Sequence, residues 1–148
     1  MPVPHDDALT AAAARRLRSH RARLTASRSR LVDVLAAAER PLTIPEILGS
    51  RGGLAQSSVY RNLVVLEQAG VVRRLTTHDD HARYELTEEL TGHHHHIVCS
   101  QCGLVKDVPA SADLEQSVAV AAARTARATG FRVDHHRLDL VGVCGRCA

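Results

Sequence analysis

Four cysteines carry the strongest chemical signal in this sequence. Cys99-Ser-Gln-Cys102 and Cys144-Gly-Arg-Cys147 form two C-x2-C pairs with 41 residues between them. A tight turn lets the two thiolates of one pair converge, and two such turns complete a tetrahedral all-sulfur shell around Zn2+. Four thiolates leave no open coordination position. The expected metal is therefore structural, clamping the last strand of the chain to the start of its second half. Two disulfides are the alternative, disfavoured by the lack of an apolar signal core and the reducing cytoplasm this implies. A thioredoxin-type redox motif fits less well, because neither pair opens a helix after a buried strand.

A second signal is His93-His94-His95-His96, which runs directly into Ile97-Val98-Cys99. Its internal position separates it from a terminal purification tag, and a polar edge strand is the plain alternative. On a strand, successive side chains point to opposite faces, so His93 and His95 face one way and His94 and His96 the other. Four adjacent histidines can thus serve two metal centres. Glu85 and Asp107 are candidate ligands on one side, and Glu115 and His136 on the other. Each carboxylate taken singly also reads as a solvated surface charge. His78 and His81 either complete a site at the junction of the two halves or are exposed loop residues.

These groups need a scaffold, and the pattern supplies one. Residues 8–20 read as a helix rich in Ala and Arg. Ser27 is placed to cap a second helix running to Glu39, with Leu31, Val34, Leu35 and Ala38 on one face and Pro41 as its stop. Thr43 and Glu46 have capping-box spacing and open a short helix to Gly49, followed by a turn at Arg51-Gly52-Gly53. Ser57 or Ser58 caps a fourth helix to Ala69, with Val59, Leu63 and Leu66 inward and Gly70 as its terminator. Strands at 71–75 and 83–87 flank the loop Thr76–Ala82. Helix, turn, helix and hairpin is the order of a winged helix-turn-helix. After Thr91-Gly92 the chain reads strand 93–98, strand 104–108, helix 113–129 capped by Asp113 and stopped by Gly130, and strand 131–142. The expected class is α+β, with domains at 1–87 and 88–148.

Composition divides the chain in the same place. The 148 residues are 45% hydrophobic and 24% charged, which excludes a wholly disordered chain. Two Tyr, one Phe and no Trp leave little bulky core, so metal, dimerisation or both should add stability. No run approaches the roughly 20 apolar residues of a membrane span, and a soluble cytoplasmic protein is expected. Residues 1–74 hold 12 Arg against six acids, a surplus of +6, whereas residues 75–148 hold seven basic and ten acidic groups. Basic excess in one half suits a polyanionic partner. Arg15, Arg16, Arg18, Arg21 and Arg28 are candidate phosphate contacts, or else a solvated helix face.

Taken together, these motifs resemble the Fur family of metal-dependent bacterial transcription regulators. The resemblance rests on Arg23-Leu24-Thr25 with Arg28, Ser58-Val59-Tyr60-Arg61-Asn62-Leu63, Tyr84-Glu85-Leu86-Thr87, the histidine run and both C-x2-C pairs. It covers about residues 10–147. It implies a winged-helix DNA-binding domain, a C-terminal α/β dimerisation domain, a homodimer and a four-cysteine structural zinc site at Cys99, Cys102, Cys144 and Cys147. It further implies a regulatory metal at Glu85, His94 and His96 with Asp107, and an additional site at His93, His95, Glu115 and His136. Arg23, Ser57, Ser58, Tyr60 and Arg61 fall on the implied DNA-contacting positions.

Three positions depart from family patterns. Iron-sensing members often place a His where this chain has Pro41, which leaves room for His78 or His81 as a substitute ligand. Zinc-sensing members often carry a Cys near the Tyr84–Thr87 strand, and none is present. Peroxide-sensing members usually have Asp where Glu85 stands. Carboxylate and imidazole donors suit Fe2+, Mn2+ or Zn2+, and the missing thiolate tilts the expectation to iron over zinc. The expected function is a repressor of metal-uptake genes that binds operator DNA as a homodimer, with no membrane partner, no small-molecule substrate and no enzyme activity. A zinc hydrolase or deaminase would need HExxH, or H-x-E with P-C-x-x-C, and neither occurs. A metal-storage protein leaves the basic half unexplained.

Overall fold

The structure is a computed structural model that describes residues 6–50 and 53–148, so Arg51 and Gly52 of the expected turn lie outside the described residues. Its first part holds α1 (Asp7–Ser19), α2 (Ala26–Ala37), β1 (Leu42–Thr43), α3 (Ile44–Gly49), α4 (Gln56–Gln68), β2 (Val72–Thr76) and β3 (Ala82–Leu86). β1, β3 and β2 form an antiparallel sheet in that order. A short α5 (Glu88–Thr91) leads to β4 (His94–Cys99), β5 (Val105–Pro109), α6 (Ala112–Thr129) and β6 (Asp139–Gly142). In the second sheet β4 is central, antiparallel to β5 and parallel to β6.

The first core is aliphatic. Leu17, Leu31, Ile47, Val59, Leu63, Leu66 and Val72 are almost fully buried, and each such side chain stabilises by roughly 1.5–3 kcal/mol. Leu90 of α5 also packs on this core. The capping box forms as expected: the Glu46 N–H donates to Thr43 Oγ1, and Glu46 Oε2 accepts the Thr43 N–H at 2.8 Å. Three caps differ from expectation. Thr25, not Ser27, accepts the Arg28 N–H at the start of α2. α4 starts after Ala55 with no side-chain cap, and Ser58 Oγ accepts from Asn62 Nδ2 instead. Ser111 caps α6, leaving Asp113 in the first turn, where its charge suits the helix dipole. α2 ends at Ala37, two residues early, where Glu39 turns to φ +51° ahead of Pro41.

The last strand is shorter than the alternation suggests. β6 pairs with β4 through His96↔Asp139 to Cys99↔Gly142. Continued backward, that register would place residues 131–136 opposite α5 and the turn after it, where no strand exists to pair with. The second half buries little on its own. Val98, Cys99 and Val105 are its buried apolar residues, α6 contributes none, and Phe131 and Val141 are 74% and 71% exposed. An aliphatic face of this size needs a partner surface.

Candidate metal centres and nucleic-acid face

The four cysteine sulfurs lie within 4.8 Å of one another. Cys102 Sγ and Cys144 Sγ are 3.7 Å apart, and Cys99 Sγ accepts the Cys144 N–H at 3.4 Å. Backbone N–H groups of Cys102 and Cys144 pull the Cys99 thiol down to about 6, whereas its sulfur neighbours, Cys144 first, push the Cys147 thiol up to about 12. The backbone likewise lowers the Cys144 thiol, and four converging sulfurs suit a thiophilic cation. All four sulfurs are free thiols rather than disulfides.

The β4 pleat sorts the histidines as its alternation requires. On one face His94 Nε2 and His96 Nε2 lie 3.2 and 3.0 Å from Glu85 Oε2. Asp107 Oδ1 is 4.0 Å from His94 Nε2 and 3.7 Å from His96 Nε2. Register explains the set: Asp107 is the β5 partner of His96, and Glu85 comes from β3 of the first sheet. The other ring nitrogens are tied back. His94 Nδ1 lies 3.1 Å from the Gly92 carbonyl, and His96 Nδ1 3.5 Å from Asp139. Anchoring one ring nitrogen fixes the tautomer that aims the other inward. Burial opposes ionisation of Glu85, but His96 and Arg73 outweigh it and hold the carboxyl below its ordinary value. Burial raises Asp107. Two imidazole nitrogens and two carboxylates, converging about the buried Glu85 and His96, fit a divalent cation.

On the opposite face His95 Nε2 is 2.6 Å from Glu115 Oε1, and His93 Nε2 and His136 Nε2 are each 3.2 Å from Glu115 Oε2. Glu115 comes from the first turns of α6, and His136 from the extended segment ahead of β6. His135 does not join them. These three nitrogens and one carboxylate form a second divalent-type set. The sequence-derived residues of all three groups are thus brought together, with two exceptions. His78 is exposed, and the His81 side chain is 68% exposed with Nδ1 2.7 Å from the Asp79 carbonyl, so neither reaches the Glu85 cluster.

Sequence reasoning missed several supporting residues. Arg73 stands opposite Glu85 on β2, donates from Nε to Glu85 and from a terminal nitrogen to Glu88 Oε1 at 3.0 Å. Glu88 Oε2 in turn lies 2.8 Å from His93 Nδ1. The loop between the wing strands is organised by Arg83, which grips Asp79 at 2.7 and 2.9 Å and holds its carboxyl well below the usual range. A Cβ on Gly103 would overlap that Asp79 carboxylate, so the wing loop sits directly on the first cysteine turn. The hairpin's own register pairs 73 with 85, and this was the available signal for Arg73.

On the opposite side of the first part, α4 presents Tyr60, 51% exposed, with exposed Ser57 and Arg61, while Val59, Leu63 and Leu66 are buried. Arg23 is exposed in the loop between α1 and α2. Arg28 fixes this face: Nε donates to Asn62 Oδ1 at 3.0 Å, and a terminal nitrogen donates to the Arg23 carbonyl at 2.6 Å. Arg16 is likewise occupied, donating to the Gly70 carbonyl at 3.0 Å. Of the five arginines expected on phosphates, Arg15, Arg18 and Arg21 are exposed, and Arg16 and Arg28 serve the scaffold.

Comparison with known proteins agrees with this assembly. The sequence profile of the Ferric uptake regulator family matches residues 19–141. The peroxide operon regulator of Bacillus subtilis is 31% identical over 132 residues, covering 85% of this chain and 84% of that protein. Among solved structures, the Helicobacter pylori ferric uptake regulator superposes with a TM-score of 0.70 at 24% identity, covering 93% of each chain. A zinc-bound manganese uptake regulator superposes with a TM-score of 0.65 at 28% identity, covering 92% of this chain and 98% of that one. No helix among the described residues is long and apolar enough to cross a membrane. With a winged-helix part, a second sheet bearing the histidine run and a four-cysteine cluster, this chain belongs to the ferric uptake regulator family of transcription regulators.

Proposed function

We propose that this protein is a homodimeric repressor of metal-uptake genes whose operator binding requires a divalent cation at Glu85, His94, His96 and Asp107, with Fe2+ ahead of Zn2+ and Mn2+ also accepted. One observation carries the reading: Glu85 of the wing sheet meets His94, His96 and Asp107 of the second sheet in a single cluster, with Glu85 and His96 buried. A cation there would supply a positive charge that links the two sheets and fixes the angle of the DNA-binding part. Binding then shifts the dimer population toward the form whose two α4 helices match successive major grooves. Cys99, Cys102, Cys144 and Cys147 hold a structural Zn2+ in this reading, and His93, His95, Glu115 and His136 hold an additional cation. Residues 1–87 bind DNA and 88–148 form the dimer.

The experiment is operator binding by fluorescence anisotropy on the chain's own promoter, with zinc-loaded protein and added Fe2+ under anaerobic conditions, Zn2+ or Mn2+. Affinity should rise on adding metal, most with Fe2+. Equal affinity with and without added metal overturns the proposal. Exposed Arg15, Arg18, Arg21 and Arg23, doubled in a dimer, would neutralise several phosphates. Affinity should accordingly fall on the order of 10³-fold between about 50 and 200 mM salt, through counterion release. A flat salt response would remove the phosphate role of these arginines.

Arg61→Ala tests base reading. Arg61 lies beside Tyr60 on the exposed face of α4, away from the core, and donates only to the Ser57 carbonyl of its own helix, at 3.4 Å. Its loss should reduce preference for operator over random DNA by on the order of 1–3 kcal/mol, with zinc content and dimerisation intact. An unchanged ratio counts against base contact.

A second reading, response to peroxide, is favoured by the 31% identity to the Bacillus subtilis peroxide operon regulator. Glu85, in place of the Asp expected of peroxide sensors, argues against it. Treating Fe2+-loaded protein with hydrogen peroxide separates the two. The metal-uptake reading expects no oxygen added to His94 or His96 by mass spectrometry and no peroxide-induced loss of operator binding.

A further inference from the structure

We propose that Arg73 sets the metal preference of the Glu85 cluster by withholding one of the two Glu85 oxygens; the inference rests on that cluster being a cation site. Glu85 Oε1 accepts from Arg73 Nε, and only Oε2 faces His94 and His96. Arg73 is held at its other end by Glu88, whose second oxygen lies 2.8 Å from His93 Nδ1. The guanidinium is thus pinned between two carboxylates and cannot swing away without breaking an ion pair. It is also charged at every working pH, so no proton loss releases Glu85.

The consequence is a count of donor atoms. With Arg73 in place Glu85 contributes Oε2 alone, beside two imidazole Nε2 atoms and Asp107, whose Oδ1 faces both rings; one atom from each residue makes four donors. Four donors, half of them imidazole, hold Zn2+ outright and suit Fe2+ with water completing its shell, whereas Mn2+ gains most from an additional oxygen. Among the described residues of the first part, Pro41 has no donor and His78 and His81 are exposed, so the nearest further donor is Glu85 Oε1 itself. Freeing Glu85 Oε1 is therefore the shortest route to a fifth. Arg73 also lines the same cleft of about 620 Å³ as His93 to His96, so a change there reaches the site without touching a core residue. Removing it should raise affinity for all divalent cations, by taking away a positive charge, and raise it most for Mn2+.

The test uses full-length, zinc-loaded dimer with His136→Ala added to silence the second cluster. Co2+ is titrated and its visible d–d absorption recorded, then Mn2+ and Zn2+ affinities are measured by chelator competition. The parent should give the intense spectrum of four-coordinate Co2+. Arg73→Met should give the weaker spectrum of a higher coordination number and raise the Mn2+-to-Zn2+ affinity ratio about tenfold, the lower end of the effect of residues that support metal ligands. Arg73→Lys, which keeps the charge but cannot fork between Glu85 and Glu88, should fall between the two. Melting curves confirm that each variant folds. Parent-like spectra and an unchanged ratio in folded Arg73→Met overturn the assignment to Arg73 alone. Failure of the parent to bind Co2+ beyond its zinc overturns the cation site as well.

Discussion

Cys144→Ser should release the tightly held zinc, unfold the second half and abolish the dimer. The expected effect is large because so little else stabilises this part. Its buried apolar residues are Val98, Cys99 and Val105, one of which is itself a cysteine of the cluster. The 18-residue helix α6 buries no side chain within the chain. A cross-link through four thiolates supplies what the core does not, and structural zinc sites contribute on the order of 10 kcal/mol to folding. The backbone N–H of Cys144, which the serine variant keeps, donates to Cys99 Sγ, so the change removes the fourth thiolate alone. Zinc content, thermal melting and light scattering on the variant check the prediction. Parent-like stability with stoichiometric zinc would show that the cysteines are not structural.

The damage should reach the DNA-binding part by a contact the sequence did not suggest. Gly103, with φ +70°, lies between Cys102 and Leu104 and abuts the Asp79 carboxylate that Arg83 holds. Arg83 is only 6% exposed, so this is a desolvated ion pair whose position matters. Losing the cysteine turn removes one wall of that pair. The wing loop thus packs directly against the first cysteine turn, even though the two join strands of different sheets.

Much of this architecture follows from residue spacing. The pleat rule alone sorted His93 and His95 from His94 and His96, because a period of two leaves no other choice once the run is a strand. The hairpin was legible for a similar reason. Strands read as 71–75 and 83–87, against 72–76 and 82–86 in the structure, give the same 73↔85 pairing, since both are symmetric about the same loop centre. Arg73 is legible from that register, as the residue facing Glu85 across the hairpin.

What spacing could not give was tertiary. Thr25, Ser27, Ser57, Ser58, Ser111 and Asp113 are all chemically able to cap a helix, and which one does so depends on where the chain turns. The alternation of Leu138 and Leu140 with Arg137 and Asp139 suggests a strand over 131–142, but strand formation needs a partner, and β4 begins only at His94. Likewise Arg16 and Arg28 carry the same charge as Arg15 and Arg18. Only the fold reveals that Gly70, Asn62 and the Arg23 carbonyl claim them.

His96→Ala should leave a folded, zinc-containing dimer that gains no operator affinity when Fe2+, Zn2+ or Mn2+ is added. His96 is 3% exposed and touches Glu85, Asp107 and Asp139, which makes it the hub of the cluster that joins the two sheets. Outer supports of metal sites are worth roughly 10–100-fold in metal affinity, so loss of a ligand at the hub should cost at least about 100-fold. At metal concentrations that saturate the parent, the variant would then stay in its metal-free population, because a cation that does not bind cannot bias the two-state equilibrium. The four cysteines lie outside this cluster, so zinc content should hold. Removing a buried ring opens a gap, and His94→Ala provides a second variant at a half-buried position with the same expected loss of response. Anisotropy titrations with and without metal, paired with zinc analysis and sedimentation, make the comparison. If either variant responds at the parent's metal concentration, the link between Glu85 and this histidine pair is not what couples metal to DNA.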